Sequence, residues 1–419
     1  MKKFFVLTVA MLAAVLCLRA QERIDPTLEV SADNSVDYSR YRFLKPDLNH
    51  VEMNGADWAR TARHFAAAAE GDTVFNIVYL GDSHIQADFG GSVLRARVAD
   101  AAGSAGRGLI IPFRMAGTNQ PNDYTVTGTG NTVTSRLLKL PWATEMPFTG
   151  IGVQPVGGLS VIHITAEEPF DRVKVIYLGD EPEITAVYGS NVGIGMDFDR
   201  LTDSEILAEQ PTTDMHLRIN AGSGTVLAGF VLSKAEAGTF VHSIGNNGAT
   251  YGTYNQVDNF GRELARLNPD LVIVALGTNE AFGTFDEATM RAEVDLLLGK
   301  IKSASPEAAI LLVTPTECYR KRYKWRRGKR RAVGQTVNTK VVRARNVVAD
   351  YARANGIPLY DTYAIVGGAG SASKMKNAHV LGADGVHFTS AGYRLQGSLL
   401  ADALLEALSA PLNPSTSEE

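Results

Sequence analysis

The chain has 419 residues, 45% of them hydrophobic, two cysteines and a formal net charge of −4. That is enough apolar sequence for a large core and two domains. It opens with Lys2-Lys3, an apolar run from Phe4 to Leu18, and Arg19-Ala20-Gln21, the pattern of a signal peptide cleaved after Ala20 (1–20). Losing Lys2, Lys3 and Arg19 would take the charge from −4 to −7 and leave Cys318 as the sole cysteine, which excludes an internal disulfide. Cys17 follows Leu16, larger than the small residue a lipid-attachment site prefers. No later run approaches the ~20 apolar residues of a membrane helix, so the expectation is an exported, soluble protein of the periplasm or cell surface.

Residues 21–50 are polar with little periodicity and read as an extended arm. A helical pattern from Ala56 to Ala69 is ended by Glu70-Gly71-Asp72, and the run Val74 to Leu80 reads as a buried strand. Gly81-Asp82-Ser83-His84 then forms a tight turn before a helix-like stretch from Gly90. Residues 113–237 change character, with Gly, Thr and Val in short alternating runs: Tyr124 to Thr127, Ser160 to Thr165, Arg172 to Tyr177, Met215 to Ile219 and Thr225 to Val231. That is the signature of a β-sandwich. Helix and strand then alternate again. Strands are expected at Val241 to Ile244, Leu271 to Leu276, Ala309 to Thr314 and Ile357 to Tyr360. One amphipathic helix is expected through Met290, Val294, Leu297 and Ile301, another through Val337, Val341, Val348 and Ala352, and a third from Ala391 to Leu408. The organisation is an α/β domain (51–112 and 238–410) interrupted by a β domain (113–237), with a disordered tail at 411–419.

The chemistry gathers at strand ends. Ser83 lies at the C-terminal end of a strand, facing the mouth of an α/β sheet. Asp384 and His387, three apart before the last helix, can supply a base and its orienting carboxylate, which points to a serine hydrolase. Ser83 lacks the Gly-x-Ser-x-Gly frame of the α/β-hydrolase elbow. Two more strings close strands: Gly245-Asn246-Asn247-Gly248-Ala249-Thr250 and Gly277-Thr278-Asn279-Glu280. Acyl transfer needs donors aimed at the oxyanion, and a glycine N–H, an asparagine amide and the N–H of Ser83 itself are suited to that task.

Gly81-Asp82-Ser83, Gly248, Gly277-Thr278-Asn279 and Asp384-x-x-His387 stand in the order of the four blocks of the SGNH (GDSL-type) hydrolases, which this chain resembles over roughly residues 72–104 and 238–408. The resemblance implies a flavodoxin-like three-layer α/β/α domain. It also implies roles: Ser83 nucleophile, His387 base, Asp384 its partner, and Ser83, Gly248 and Asn279 as oxyanion donors. Two departures, His84 in place of leucine and more than 150 residues between the first two blocks, resemble one branch, the bacterial peptidoglycan O-acetylesterases. Those carry Gly-Asp-Ser-His, a string like Gly277 to Ala281, and an inserted carbohydrate-binding-module-like β domain.

His84 lines the site as a substrate contact, touches the inserted domain, or is a structural histidine bonded to nearby backbone. His50, His64, His163, His216, His242 and His379 show no clustered ligand spacing, so no metal is assigned. Asp88 and Glu280 read as solvated charges or helix caps. The run Arg320 to Arg331 holds nine Lys or Arg in twelve residues, interleaved with Tyr323 and Trp325. Export argues against nucleic acid as its partner. A cationic, aromatic loop on the Ser83 side of the sheet suits a glycan bearing carboxylates, with Tyr323, Trp325 and Arg326 as contacts. The expected function is O-acetyl removal from cell-wall glycan, peptidoglycan first, without a cofactor. An acetylesterase acting on xylan or host glycan, a polysaccharide O-acetyltransferase, and a glycan-binding protein with a vestigial site remain open at this point.

Overall fold

The computed structural model describes residues 36–410 apart from 191, 192, 235 and 327. The expected signal peptide, Cys17, the first part of the arm and the tail lie outside the described residues. Fourteen strands occur among those described. The first seven are β1 (Val74–Gly81), β2 (Gly108–Ile110), β3 (Tyr124–Arg136), β4 (Ile151–Leu178), β5 (Glu183–Tyr188), β6 (Phe198–Thr202) and β7 (Glu205–Asn220). The others are β8 (Val226–Ser233), β9 (Gly238–Gly245), β10 (Leu271–Ala275), β11 (Ala309–Val313), β12 (Tyr319–Arg326), β13 (Lys329–Val337) and β14 (Leu359–Tyr360).

Five strands form an all-parallel sheet in the order β14-β11-β10-β1-β9. Read by chain position among these five, the order is 2-1-3-4-5, the doubly wound flavodoxin-like arrangement, whose direction reverses between β1 and β10. Both faces are covered, which is why these strands read as nearly unbroken apolar runs. The period of two sorts their side chains. Phe75, Ile77 and Tyr79 pack with the helices Ala59–Ala69, Phe89–Ala102 and Ser390–Ser409, while Val78 and Leu80 pack toward Glu287–Ala304 and Lys340–Ala354. Phe89–Ala102 and Ser390–Ser409 touch where Gly90 meets Gly397, and a Cβ on Gly397 would lie 2.5 Å from the Gly90 carbonyl oxygen.

The interrupting segment forms an antiparallel sheet in the order β2-β8-β4-β7-β5, with β3 on β4 and β6 on β7; β2 (Gly108–Ile110) pairs with β8, so this sheet starts before residue 113, where the interruption was expected. The runs around Ser160 and Arg172, expected as separate strands, belong to the single 28-residue β4, bent by register shifts. Val153 and Tyr177 of β4 both register against Leu227, so the sheet curls over on itself. Its core, with Phe148, Ile162, Phe170, Leu217 and Phe230, is continuous with the layer over β1 and β10.

Three local expectations are corrected. The described part of the arm is not extended: it forms the turns Tyr38–Arg40 and Pro46–Leu48 and buries Tyr41, Phe43 and Leu44. Val337 ends β13 rather than joining the helix, which begins at Lys340. The basic run is not a loop but an antiparallel hairpin, β12–β13, whose turn uses Gly328 at φ +72°. No helix among the described residues is long and apolar enough to cross a membrane.

Candidate active site

β1 ends at Gly81, and the Asp82 carboxylate accepts the His84 N–H at 2.9 Å, starting the short helix Ser83–Gln86. Ser83 therefore opens a helical turn at the C-terminal edge of β1, where the strand order reverses. On the opposite side, the segment from Gly382 to Thr389 folds back through Gly382 N–H to the His387 carbonyl at 2.7 Å. Thr389 caps the helix Ser390–Ser409 by accepting the Gly392 N–H. This brings His387 Nε2 to 2.8 Å from Ser83 Oγ, while His387 Nδ1 lies 2.7 Å from Asp384 Oδ2. The other Asp384 oxygen accepts the Val386 and His387 N–H groups at 2.9 and 3.0 Å. Partial burial pushes the Asp384 carboxyl up, but the bonds from the His387 ring and the two amides outweigh it and hold its pKa below the usual range. With Nδ1–H directed at a carboxylate, Nε2 is left to accept a proton from Ser83.

The N–H groups of Ser83 and Gly248 have no acceptor among the described residues. Gly248 has φ +85°, a conformation that L side chains rarely adopt. Its loop is held from several sides. Asn247 N–H donates to Gln86 Oε1 at 2.7 Å, and Gln86 Nε2 donates to the Asn119 carbonyl at 2.7 Å. Asn246 Nδ2 donates to the Thr149 carbonyl and the Tyr254 hydroxyl, whose own proton goes to the Gly81 carbonyl. Asn119 and Thr149 belong to the interrupting segment, which thus braces this loop. Asn279 Nδ2 donates to Asp82 Oδ2 and to the Ala249 carbonyl, both at 3.0 Å, so both its N–H bonds are committed within the site.

His84 packs beside His387, with ring centroids 5.4 Å apart, and its Nδ1 lies 3.1 Å from the Tyr393 hydroxyl. Burial lowers its pKa, which disfavours a second positive ring beside His387. Asp88 is not a solvated charge. It is buried with Arg95, Arg107 and Asp123 in an ion-pair network, accepting from Arg95 at 2.5 Å, from Arg107 at 2.8 Å and from Ser243 Oγ. Glu280 is not solvated either: it accepts the Tyr251 N–H at 2.9 Å, its second oxygen is buried without a partner, and burial pushes its pKa up to about 7. The spacing of the histidines concealed one cluster. Cross-strand pairing of β4 with β7 brings His163, Asp214 and His216 together, far along the chain from Ser83.

The hairpin β12–β13 is tied to the Asp384 segment. Tyr319 N–H donates to the Gly385 carbonyl at 2.7 Å, and Gln335 Nε2 donates to the Ala383 and Asp384 carbonyls. Between them runs a groove of about 700 Å³ lined by Arg320, Arg322, Tyr323, Trp325, Arg330 and Asp384, among others. Trp325 is 74% exposed, and the Arg330 guanidinium stands 3.9 Å over the Tyr323 ring. Arg326 ends β12, and its side chain lies outside the described residues. Leu138, not singled out from the sequence, approaches Gly248 closely enough that a Cβ there would meet its Cγ at 3.7 Å. Gln86 was legible in principle, one turn beyond Ser83; Asn119 and Leu138 carry no linear signal.

Residues 222–395 match the model of the GDSL-like Lipase/Acylhydrolase family, a span that includes Gly248, Asn279, Asp384 and His387 and leaves out Ser83. No curated protein matches the chain significantly. Among solved structures, one described as a peptidoglycan O-acetylesterase is 22% identical over 86% of this chain and 99% of its own, with a TM-score of 0.68, a likeness of fold. A lipase/acylhydrolase from Enterococcus faecalis is 24% identical over 40% of this chain and 76% of its own, with a TM-score of 0.30. An acetyl xylan esterase, AlAXEase, is 19% identical over 40% and 80%, also with a TM-score of 0.30. The chain carries a GDSL-like lipase/acylhydrolase domain and is a carboxylic ester hydrolase.

Proposed function

We propose that this protein is an exported serine esterase that removes O-acetyl groups from peptidoglycan. The observation that carries the reading is the hydrogen-bonded series Ser83–His387–Asp384 at the sheet's switch point, opening beside a cationic, aromatic groove. His387 takes the Ser83 proton as Oγ attacks the ester carbonyl, and Asp384 stabilises the imidazolium. The Ser83 and Gly248 N–H groups hold the oxyanion, and Asn279 joins them by exchanging the Ala249 carbonyl for it. The sugar hydroxyl leaves with the proton from His387, and water then cleaves the acetyl-serine.

The substrate side rests on charge and on likeness. Peptidoglycan bears carboxylates on its lactyl-peptide stems, which suit Arg320, Arg322 and Arg330, while Trp325 and Tyr323 offer faces to a sugar ring. The fold likeness to a solved peptidoglycan O-acetylesterase spans the interrupting β segment as well. Acetate release from O-acetylated peptidoglycan and from acetylated xylan, measured in parallel, tests the reading. Release from peptidoglycan is expected. Preference for xylan would overturn the substrate, and transfer to a sugar acceptor without free acetate would make the protein a transferase. Neutralising Arg320, Arg322, Lys324 and Arg330 together should weaken co-sedimentation with sacculi; unchanged sedimentation would remove the hairpin from glycan binding.

A further inference from the structure

We propose that His163, Asp214 and His216 bind one divalent transition-metal ion of the zinc class on the antiparallel sheet. This site is remote in sequence from the esterase residues and does not depend on that reading.

The placement follows from strand geometry. His163 of β4 is registered directly against His216 of β7, and Asp214, two residues before His216, projects from the same face. His163 Nε2 lies 3.1 Å from Asp214 Oδ1, and His216 Nδ1 lies 3.7 Å from the same oxygen. The Gly189 carbonyl approaches His216 Nδ1 to 3.1 Å. Two imidazoles and a carboxylate thus gather their ligand atoms in one place.

The distances suit a small ion. Ligand bonds of about 2.0–2.2 Å in a tetrahedron set neighbouring donors about 3.3–3.6 Å apart. The observed 3.1 and 3.7 Å bracket that edge, and the three side chains each offer a ligand atom within 4.8 Å of the others. The rings now stack in parallel, with centroids 3.9 Å apart. A shared ion needs one of them to turn about χ2, a soft torsion for histidine. The room exists, since His163 and Asp214 side chains are 33% and 31% exposed and His216 is 14% exposed. Two imidazoles favour zinc, copper or nickel over calcium or magnesium, which take oxygen ligands. Binding replaces any proton on the ligating nitrogens and ties together strands 51 residues apart at His163 and Asp214.

The test is calorimetric titration of the full chain, stripped with chelator, using Zn²⁺, with thermal unfolding read in parallel. Wild type should take up one Zn²⁺ per chain and unfold at a higher temperature with it. His163→Ala and Asp214→Asn should each weaken binding by more than the ~10–100-fold that loss of a residue merely supporting a ligand costs, and should lose the thermal shift. His387→Ala should bind as wild type does. No stoichiometric uptake, uptake retained in His163→Ala, or uptake lost only in His387→Ala would each overturn the assignment. Asp214→Asn keeps the volume of the site, so its result stands if His163→Ala proves unstable.

Discussion

Gly248→Ala separates the conformational demand of the proposed oxyanion loop from its sterics. A methyl at this position meets only Leu138 Cγ, at 3.7 Å, an ordinary contact. The cost lies instead in φ +85°, where an L-residue is disfavoured by about 1–2 kcal/mol. The loop can relieve that strain by turning toward negative φ, which would re-aim the Gly248 N–H. Loss of one oxyanion donor corresponds to about 10²–10³ in kcat, or about 2.7–4 kcal/mol. The variant should therefore stay folded, lose at most about 1–2 kcal/mol of stability, and show lower kcat on a chromogenic acetate ester with little change in KM. Stopped-flow or steady-state hydrolysis with a parallel thermal melt reads both quantities. A kcat within threefold of wild type in a normally folded variant would refute the donor role.

Asp384→Asn should lower kcat by at least about 10³-fold. The loss should fall short of the ~10⁴ seen for a fully buried triad carboxylate, because the Asp384 side chain is 47% exposed and water screens its charge. An unchanged rate would show that His387 is oriented by something else. Leu138→Ala, which removes three carbons from a partly exposed side chain beside Gly248, should raise the ratio of kcat/KM for butyryl over acetyl esters by roughly tenfold; an unaltered ratio would take Leu138 out of acyl selection. Glu280 offers a test in stability. Its folded-state pKa of about 7 lies above the ordinary 4.5, so the folded chain holds the proton longer and stability declines as pH rises through that window. A shift of that size corresponds to about 3 kcal/mol. Glu280→Gln, which keeps an acceptor for the Tyr251 N–H, should thus raise the melting temperature at pH 8 and not at pH 4; equal effects at both would contradict the assignment.

What could be read from sequence follows the period of the signal. Val74 to Leu80 and Leu271 to Leu276 are buried on both faces, so their unbroken apolar runs marked strands, and the glycine-rich strings after them marked the mouth. Asp384 and His387 were legible because three residues span one turn of chain. What escaped depends on contacts between distant segments. His163 and His216 pair only through the register of β4 and β7. Asp88 is buried because Arg95, Arg107 and Asp123 converge on it from separate elements. Leu138 and Asn119 reach the loop at Asn247 and Gly248 from a segment whose alternation announces strands but not where they dock. Tyr41, Phe43 and Leu44 sit too close together to declare a helix or strand period, yet they anchor the arm. Charge dominated the reading of Arg320 to Arg331 and hid its hairpin pairing.

The central claim is that Ser83 carries the acyl group. Quenching the protein during turnover of an acetyl ester and mapping its peptides by mass should place one acetyl group on the peptide containing Ser83, in wild type and not in Ser83→Ala. Accumulation should increase in Asp384→Asn if deacylation slows more than acylation. Acetyl found on another residue, or ester turnover that persists in Ser83→Ala, would contradict the account.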